Sequence, residues 1–415
     1  MMHVKVAHVL NHDIGLRVHG RNYFSYLQEQ GYDAQAICPP GEYVTGDMVT
    51  ETGIPVKAIP FPPRYTPIAD FRTLIRLWHY FRQQRIDIVH THTVKPGLLG
   101  RIAARLAGVP IVIHTVHGFH IWDDMSNFEQ RIFVWVERLA ARFCDLLLSQ
   151  NHEDMKVAVR DRICPANRIH YLGNGIDVSY FDPDQVSAER VAEVRQQLGV
   201  APNEYLVGMI GRLVRLKGYY DYMEAARIIK DWGEPIKFLT IGLATPEKAD
   251  ALSPEALIDQ YGLKGKMQHL GQRSDVRELI AAMDTLVLAS YAEGVPRVLM
   301  EAAAMGKAVV GTDVRGTREA IVDGQTGYLV PARNPAALAD SIRRLLSDQQ
   351  RAQEMGAAAR RRAKTHFDER HYFWRTDIEY RRLLEEKLSS KRLQGLKPLK
   401  PEASNLQSLQ SVSHS

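Results

Sequence analysis

The chain predicts an α/β fold of two doubly wound parallel-sheet domains facing each other across a cleft. Three observations predict it. The 415 residues exceed what one hydrophobic core usually fills. Short apolar runs alternate with amphipathic stretches along most of the length, which is the pattern of strand, helix and parallel strand. A turn-rich break, Tyr171-Leu172-Gly173-Asn174-Gly175-Ile176-Asp177 followed by Asp182-Pro183-Asp184, divides that pattern into two series.

In the first series, strands are expected at Val4–Leu10, Ala34–Cys38, Ile86–His90, Ile111–His114 and Leu146–Ser149. Helical patterns lie near 20–30, 67–85, 95–107, 127–142 and 151–160. Ile111-Val112-Ile113 is apolar at consecutive positions, as a strand covered on both faces should be. A helix at about 187–198 follows the break, and strands are expected near 205–210, 236–241, 267–270, 285–288, 308–310 and 327–330. Beyond 333 the chain reads as helix over 334–346, 348–366 and 368–387. The expected division is a first domain over 1–180, a second over 200–366, a helix over 367–388 returning to the first, and a disordered Ser/Gln-rich tail over 389–415.

Composition narrows the class. Hydrophobic residues make up 45% and charged residues 24%, which excludes a chain disordered throughout. Cys38, Cys144 and Cys164 are far apart and odd in number, so neither a disulfide framework nor a cysteine zinc site is expected, and a reducing cytoplasm fits. The start of the chain reads as a strand rather than a signal peptide, and no apolar run approaches the roughly 18 residues a membrane span needs. The net charge of +5 suits an anionic ligand or membrane surface. No nucleic-acid-binding module is present, so nucleic acid is not expected as a partner.

In doubly wound sheets ligands bind at the carboxyl ends of strands, so residues just after strands carry the chemistry. After the strand at 285–288 comes Ser290-Tyr291-Ala292-Glu293-Gly294-Val295-Pro296-Arg297-Val298-Leu299-Met300-Glu301. Gly294, Val295 and Pro296 open a helix whose free amides favour an anionic group. Glu293 can accept hydrogen bonds from sugar hydroxyls, and Glu301, two turns on, can hold a ribose. Taken singly, each glutamate also reads as a solvated surface charge. After the strand at 205–210 comes Gly211-Arg212-Leu213-Val214-Arg215-Leu216-Lys217-Gly218. Gly211 is expected to allow a tight turn. Arg212 and Lys217 can converge on a diphosphate and stabilise a departing nucleotide without a metal. The alternative is an ordinary basic loop at a helix start.

In the first domain, His114-Thr115-Val116-His117-Gly118 places His117 at a strand end, where it is either a polar loop residue or a ligand to a sugar hydroxyl. His90-Thr91-His92 has the spacing to begin a metal site, but no third ligand with matching spacing is visible. No metal is therefore assigned, and His92 is taken as acceptor-side or structural. Gly15, after the first strand, would allow backbone close to a ligand on the acceptor side. Asp182-Pro183-Asp184 has an acid-x-acid form, but it lies in the interdomain turn and is not taken as a metal site. The basic and aromatic run from Arg64 to Arg85 reads either as a helix with core aromatics or as a surface for anionic lipid.

Over roughly 3–385 these motifs resemble the retaining glycosyltransferases of the GT-B fold, family-four type, which include bacterial polysaccharide and lipid-linked-oligosaccharide transferases. Glu293 to Glu301 is similar to that family's two-glutamate motif, Gly211-Arg212 with Lys217-Gly218 to its diphosphate loop, and Asn174-Gly175-Ile176-Asp177 and Gly324-Gln325-Thr326-Gly327 to its turns. The resemblance implies Rossmann-like domains, a second domain that binds a nucleotide-diphosphate sugar, taken to be a UDP sugar, and a first that binds the acceptor. It implies that Arg212 and Lys217 hold the diphosphate, Glu301 the ribose, Glu293 the donor sugar and His117 the sugar near its anomeric carbon. No cofactor or metal is implied. A hexose or N-acetylhexosamine would pass to a polyprenyl-linked or saccharide acceptor, with contact at the cytoplasmic face of the inner membrane. Gly15 is followed by Leu16-Arg17 where many members have paired glycines, a departure at the acceptor end. The rival expectations are a nucleotide-sugar epimerase of the same plan and a non-catalytic partner subunit.

Overall fold

A computed structural model describes residues 3–12, 16, 20–41, 44, 48–49, 53–62, 66–119, 125–243, 252–388 and 394–398. The chain divides into two compact units: Met1–Gly173 with Tyr372–Ser415, and Asn174–His371.

The first unit is built from β1 (Val4–Val9), α1 (Arg21–Glu29), β2 (Tyr32–Cys38), β3 (Met48–Val49), β4 (Pro55–Ala58), α2 (Pro67–Gln84), β5 (Ile88–His92), α3 (Val94–Leu106), β6 (Ile111–Val116), α4 (Asn127–Ala141), β7 (Leu146–Ser149), α5 (His152–Arg160) and β8 (Ile169–Tyr171). The sheet order is β3-β4-β2-β1-β5-β6-β7-β8, parallel except where β3 meets β4. Strand parity explains its layering. Val4, Val6, Ile88, Ile111 and Ile113 face one core, while Ala7, Val9, Val89 and Val112 face the other. β3, β4 and β8 lie outside the expected strands, being short and without an apolar run. β5 runs to His92, so His90-Thr91-His92 lies within a strand rather than after one. Gly15 lies outside the described residues.

The second unit contains α6 (Ala188–Gln197), β9 (Tyr205–Ile210), α7 (Tyr219–Ile229), β10 (Ile236–Ile241), α8 (Pro254–Gln260), β11 (Met267–His269), α9 (Val276–Ala282), β12 (Thr285–Leu288), α10 (Arg297–Ala304), β13 (Val309–Thr312), α11 (Thr317–Ala320), β14 (Gly327–Val330), α12 (Pro335–Ser347) and α13 (Gln349–His366). Its six strands are all parallel, in the order β11-β10-β9-β12-β13-β14. One core gathers α7, α8 and α12, and another α6, α9 and α10.

The last helix, α14 (Glu369–Lys387), belongs to the first unit from Tyr372 onward, where Tyr380, Leu383 and Leu384 are buried in the core that also holds α1. Beyond it the expected tail is not uniformly unpacked. Leu396 is buried in that same core, and the Lys397 N–H donates to the Gln30 carbonyl at 3.0 Å. The rest of that tail, 389–393 and 399–415, lies outside the described residues.

Candidate functional site

Strand order locates a candidate site in each unit. In the second unit the chain winds outward in one direction from β9 and in the other from β12, and these two strands are neighbours. The loops leaving their carboxyl ends therefore diverge and leave a crevice, the place where open α/β sheets bind ligands.

Those two loops are stitched together. The Tyr291 N–H donates to the Leu216 carbonyl at 2.9 Å. Lys217 Nζ donates to Glu293 Oε1 at 2.5 Å, and Ser290 Oγ donates to the same oxygen at 2.6 Å. Glu293 Oε2 makes no hydrogen bond among the described residues, so the carboxylate is fixed through one oxygen and presents the other. Lys217 sits at the end of a short 3-10 turn, Arg215–Lys217, and Gly218 then takes a left-handed conformation with φ of 71°. A Cβ on Gly218 would stand 1.8 Å from the Ala289 carbonyl oxygen, so the close approach of the two loops depends on glycine there. The left-handed position of the loop is thus Gly218, not Gly211. Gly211 has a negative φ and ordinary space around its Cβ position; its carbonyl accepts from Tyr219 Oη at 2.6 Å. Arg212 lies on the same loop, is exposed, and makes no ion pair among the described residues.

Pro296 is the residue before α10 rather than its first, and no side chain caps that helix start or that of α7. The loop into α10 is held from Asn174-Gly175, whose role the sequence left as a turn. Asn174 Nδ2 donates to the Val295 carbonyl at 3.0 Å, and Arg297 donates to the Gly175 carbonyl. Glu301 is nearly enclosed. Burial raises its carboxyl pKa, against the opposing pull of Arg297, whose Nε lies 3.8 Å from Glu301 Oε1. The acid-x-acid pair has a structural partner: Arg360 of α13 bonds Asp182 and reaches Asp184 Oδ2 at 2.6 Å, with Lys364 3.5 Å from Asp182.

In the first unit the winding reverses between β1 and β5. The carboxyl ends of β1, β5 and β6 bring His8, His90, His92, Thr115 and His117 into one cluster. Parity dictates it: His8, His90, His92 and Thr115 continue the face of Val4, Ile88 and Ile111, toward α1 and α14. The His8–His90 register brings the third imidazole that spacing did not reveal. One ring nitrogen from each of His8, His90 and His92 lies within 4.8 Å of the other two, which on distance alone would pass for a metal site. Their orientation points elsewhere. His90 and His92 stack at 4.4 Å between centroids, and each ring nitrogen of the three is already bonded to another side chain. Burial pushes His8 down to about 3 and His117 to about 4, the latter against an upward pull from its hydrogen bond to the Gln150 side chain, and also lowers His90 and His92. His117 nevertheless keeps an exposed face. His114 points to the opposite face, where Thr91 Oγ1 lies 2.9 Å from its Nδ1. His8, Ser290, Gln150 and Tyr380 were not singled out from sequence. For His8 a signal existed, a polar residue at the end of an apolar strand.

Residues 191–362 match the glycosyl transferases group 1, and residues 15–175 match a glycosyl transferase 4-like domain. The chain is 31% identical over 298 residues to alpha-maltose-1-phosphate synthase of Mycobacterium tuberculosis, covering 75% of that protein and 68% of this one. The chain is a GT-B glycosyltransferase of the family-four type. It is 28% identical over 351 residues to an Escherichia coli UDP-Gal:alpha-D-GlcNAc-diphosphoundecaprenol alpha-1,3-galactosyltransferase, which spans 83% of this chain and 88% of that enzyme. Its fold is that of Anabaena Alr3699/HepE, solved with UDP and glucose, at a TM-score of 0.76 and 22% identity over 92% of this chain and all of that one.

Proposed function

We propose that this glycosyltransferase works with retention, moving a hexose or N-acetylhexosamine from a UDP sugar to a polyprenyl-linked intermediate of a surface polysaccharide. The observation that carries the reading is the Lys217–Glu293 pair at the β9/β12 reversal. Lys217, Arg212 and the uncapped start of α10 supply positive charge for a leaving diphosphate, doing by fixed cations what a metal does elsewhere. Glu293 Oε2 takes a sugar hydroxyl, Glu301 the ribose and His117 the donor sugar. The acceptor oxygen bonds to the anomeric carbon on the face from which the diphosphate leaves, and the acceptor's proton passes to the departing phosphate oxygen. The E. coli relative, named for a UDP-galactose donor and a diphosphoundecaprenol acceptor, supports the donor and acceptor classes.

An exposed face supports attachment to an anionic membrane. Ile68, Phe71 and Ile75 on α2 and Phe128, Ile132 and Trp135 on α4 form two exposed apolar stripes, flanked by exposed Arg72, Arg76, Arg131 and Arg138. Both helices pack against α3. No helix among the described residues is long and apolar enough to cross a membrane.

The test is a panel of nucleotide sugars offered to the full chain with polyprenyl-diphosphate sugars, in buffer with and without EDTA. Transfer insensitive to EDTA, with the donor's anomeric configuration kept in the product, is expected. An inverted product, a requirement for added metal, or donor isomerised without acceptor would overturn the reading.

A further inference from the structure

Five buried groups of the first unit and the exposed His117 form one continuous hydrogen-bonded chain. From its inner end, Thr115 Oγ1 lies 2.7 Å from His90 Nε2, and His90 Nδ1 lies 2.7 Å from Tyr380 Oη. Tyr380 Oη lies 3.2 Å from His8 Nε2, His8 Nδ1 lies 3.0 Å from His92 Nε2, and His92 Nδ1 lies 3.0 Å from His117 Nε2. His117 ends the chain on the Gln150 side chain.

A neutral imidazole carries one N–H, so a ring that donates at one nitrogen must accept at the other. Tyr380 Oη also lies 3.4 Å from Tyr23 Oη, and beyond what burial does, that bond raises the Tyr23 pKa while it pulls that of Tyr380 down, as when Tyr23 is the donor. With Tyr23 donating in, the hydrogen of Tyr380 is left for the chain, which has two coherent arrangements, each the reverse of the other. Its inner end selects between them. Thr115 is buried, and its hydroxyl has no second partner among the described residues. Were His90 to donate to Thr115, the Thr115 O–H would be a buried donor without an acceptor, which folded proteins avoid. Thr115 must donate. His90 then carries its hydrogen on Nδ1 and donates to Tyr380, Tyr380 donates to His8, His8 to His92 and His92 to His117. Every hydrogen points toward the outer end. Burial keeps the rings in the neutral form that this order requires.

We propose that this chain fixes His117 as a neutral hydrogen-bond donor, offering its Nδ1–H to a substrate oxygen in exchange for Gln150, with Thr115, His90, Tyr380, His8 and His92 as positioning residues. His117 then cannot serve as the base that deprotonates the acceptor, because its one lone pair is occupied by His92. The substrate half of this proposal rests on the transferase reading above; the ordering of hydrogens does not.

The experiment is long-range proton–nitrogen correlation on the full chain labelled with 15N-histidine at pH 7, with single His→Gln variants for assignment. His8, His90, His92 and His117 should each show a protonated Nδ1 and a bare Nε2. Thr115→Val keeps the volume and removes the hydroxyl. It should introduce the second tautomer at His117, several links away, and Thr115→Ser should restore the single form. Tyr380→Phe cuts the chain at its middle and should give the same mixture if the valine variant does not fold. With the donor established by the panel, Thr115→Val should raise its KM about three- to tenfold, the loss expected for one neutral hydrogen bond, again recovered by serine. A charged or Nε2-protonated His117, a valine variant with unaltered His117 signals or KM, or one bound zinc ion that moves the His8, His90 and His92 signals together would overturn the proposal. The spectra need no substrate. Absent transfer with ordered tautomers would sink the transferase reading while leaving the ordering intact.

Discussion

At the scale of single residues, the chemistry proposed for the second unit centres on an ion pair whose members are far apart in sequence. Lys217 and Glu293 are 19% and 9% exposed, so neither is freely hydrated, yet Glu293 keeps an oxygen available. Removing the ammonium leaves Glu293 with Ser290 as its one donor among the described residues, and on the proposed mechanism it takes a cation from the leaving diphosphate. Lys217→Ala should lower kcat/KM by at least a hundredfold, in the range seen when a preorganised charge-stabilising group is lost. Steady-state kinetics on the best donor checks it, and a variant within threefold of the parent would remove Lys217 from the mechanism. Glu293→Gln keeps the shape and the bond from Ser290 but weakens the acceptor, and it should cost about tenfold or more. The sequence displayed Lys217, Arg212, Glu293 and Glu301, because the loop or helix that carries each one is the segment leaving a strand's carboxyl end. It did not display that Lys217 bonds Glu293, since the pairing depends on β9 lying beside β12, and strand adjacency is not a local property of either segment. The same reason hid His8: its place beside His90 comes from the β1–β5 register.

At the scale of elements, the strands that were legible are those buried on both faces, because their apolar runs need no partner to be recognised. β3, β4 and β8 escaped because strands of two to four residues are too short to show a period. Loop contacts were legible only as a scatter of glycines. Two of these hold the site. Gly218 brings the β9 loop onto Ala289, and Gly316, with φ of 73°, brings the segment before α11 onto the Gly294 carbonyl, where a Cβ would stand 1.6 Å from the oxygen. Alanine at either position meets rigid backbone as well as an unfavourable φ. Gly218→Ala should cost roughly 3 kcal/mol or more of stability and abolish donor binding, read by thermal melts and by titration with UDP. A melt unchanged within 1 °C would show that the loops do not need to touch. The stripes on α2 and α4 give a separate test of the proposed membrane surface. Phe71→Glu with Trp135→Glu removes two exposed aromatic rings and adds two negative charges. Partition onto vesicles containing phosphatidylglycerol should fall by at least tenfold, since each buried aromatic contributes about 1.5–3 kcal/mol. Transfer to a water-soluble acceptor should stay as it was.

At the scale of the whole molecule, the two units differ in how they meet acid. The first holds five imidazoles, His8, His90, His92, His114 and His117, that burial keeps below the ordinary histidine range. In the unfolded chain each would titrate near 6.5. Between that value and the folded value the unfolded state binds more protons, so these groups favour folding fully above about pH 6.5 and lose that contribution as pH falls. For His8, whose folded value is about 3, the loss continues to that point, at about 1.4 kcal/mol per pH unit while it lasts. In the second unit the enclosed Glu301 acts with the opposite sign. Its carboxyl is raised, so protonation costs the folded state less than it costs the unfolded one, and mild acid does not weaken that unit through it. Half-buried His269 in the second unit is also lowered, by burial. Acid should therefore open the first unit before the second. Hydrogen exchange, corrected for intrinsic rates, should show protection at 4–9, 88–92 and 111–116 falling between pH 7.5 and pH 5, while protection at 205–210 and 285–288 holds. Equal loss in both sheets, or earlier loss in the second, would mean that the histidine cluster is not what sets the first unit's response to acid.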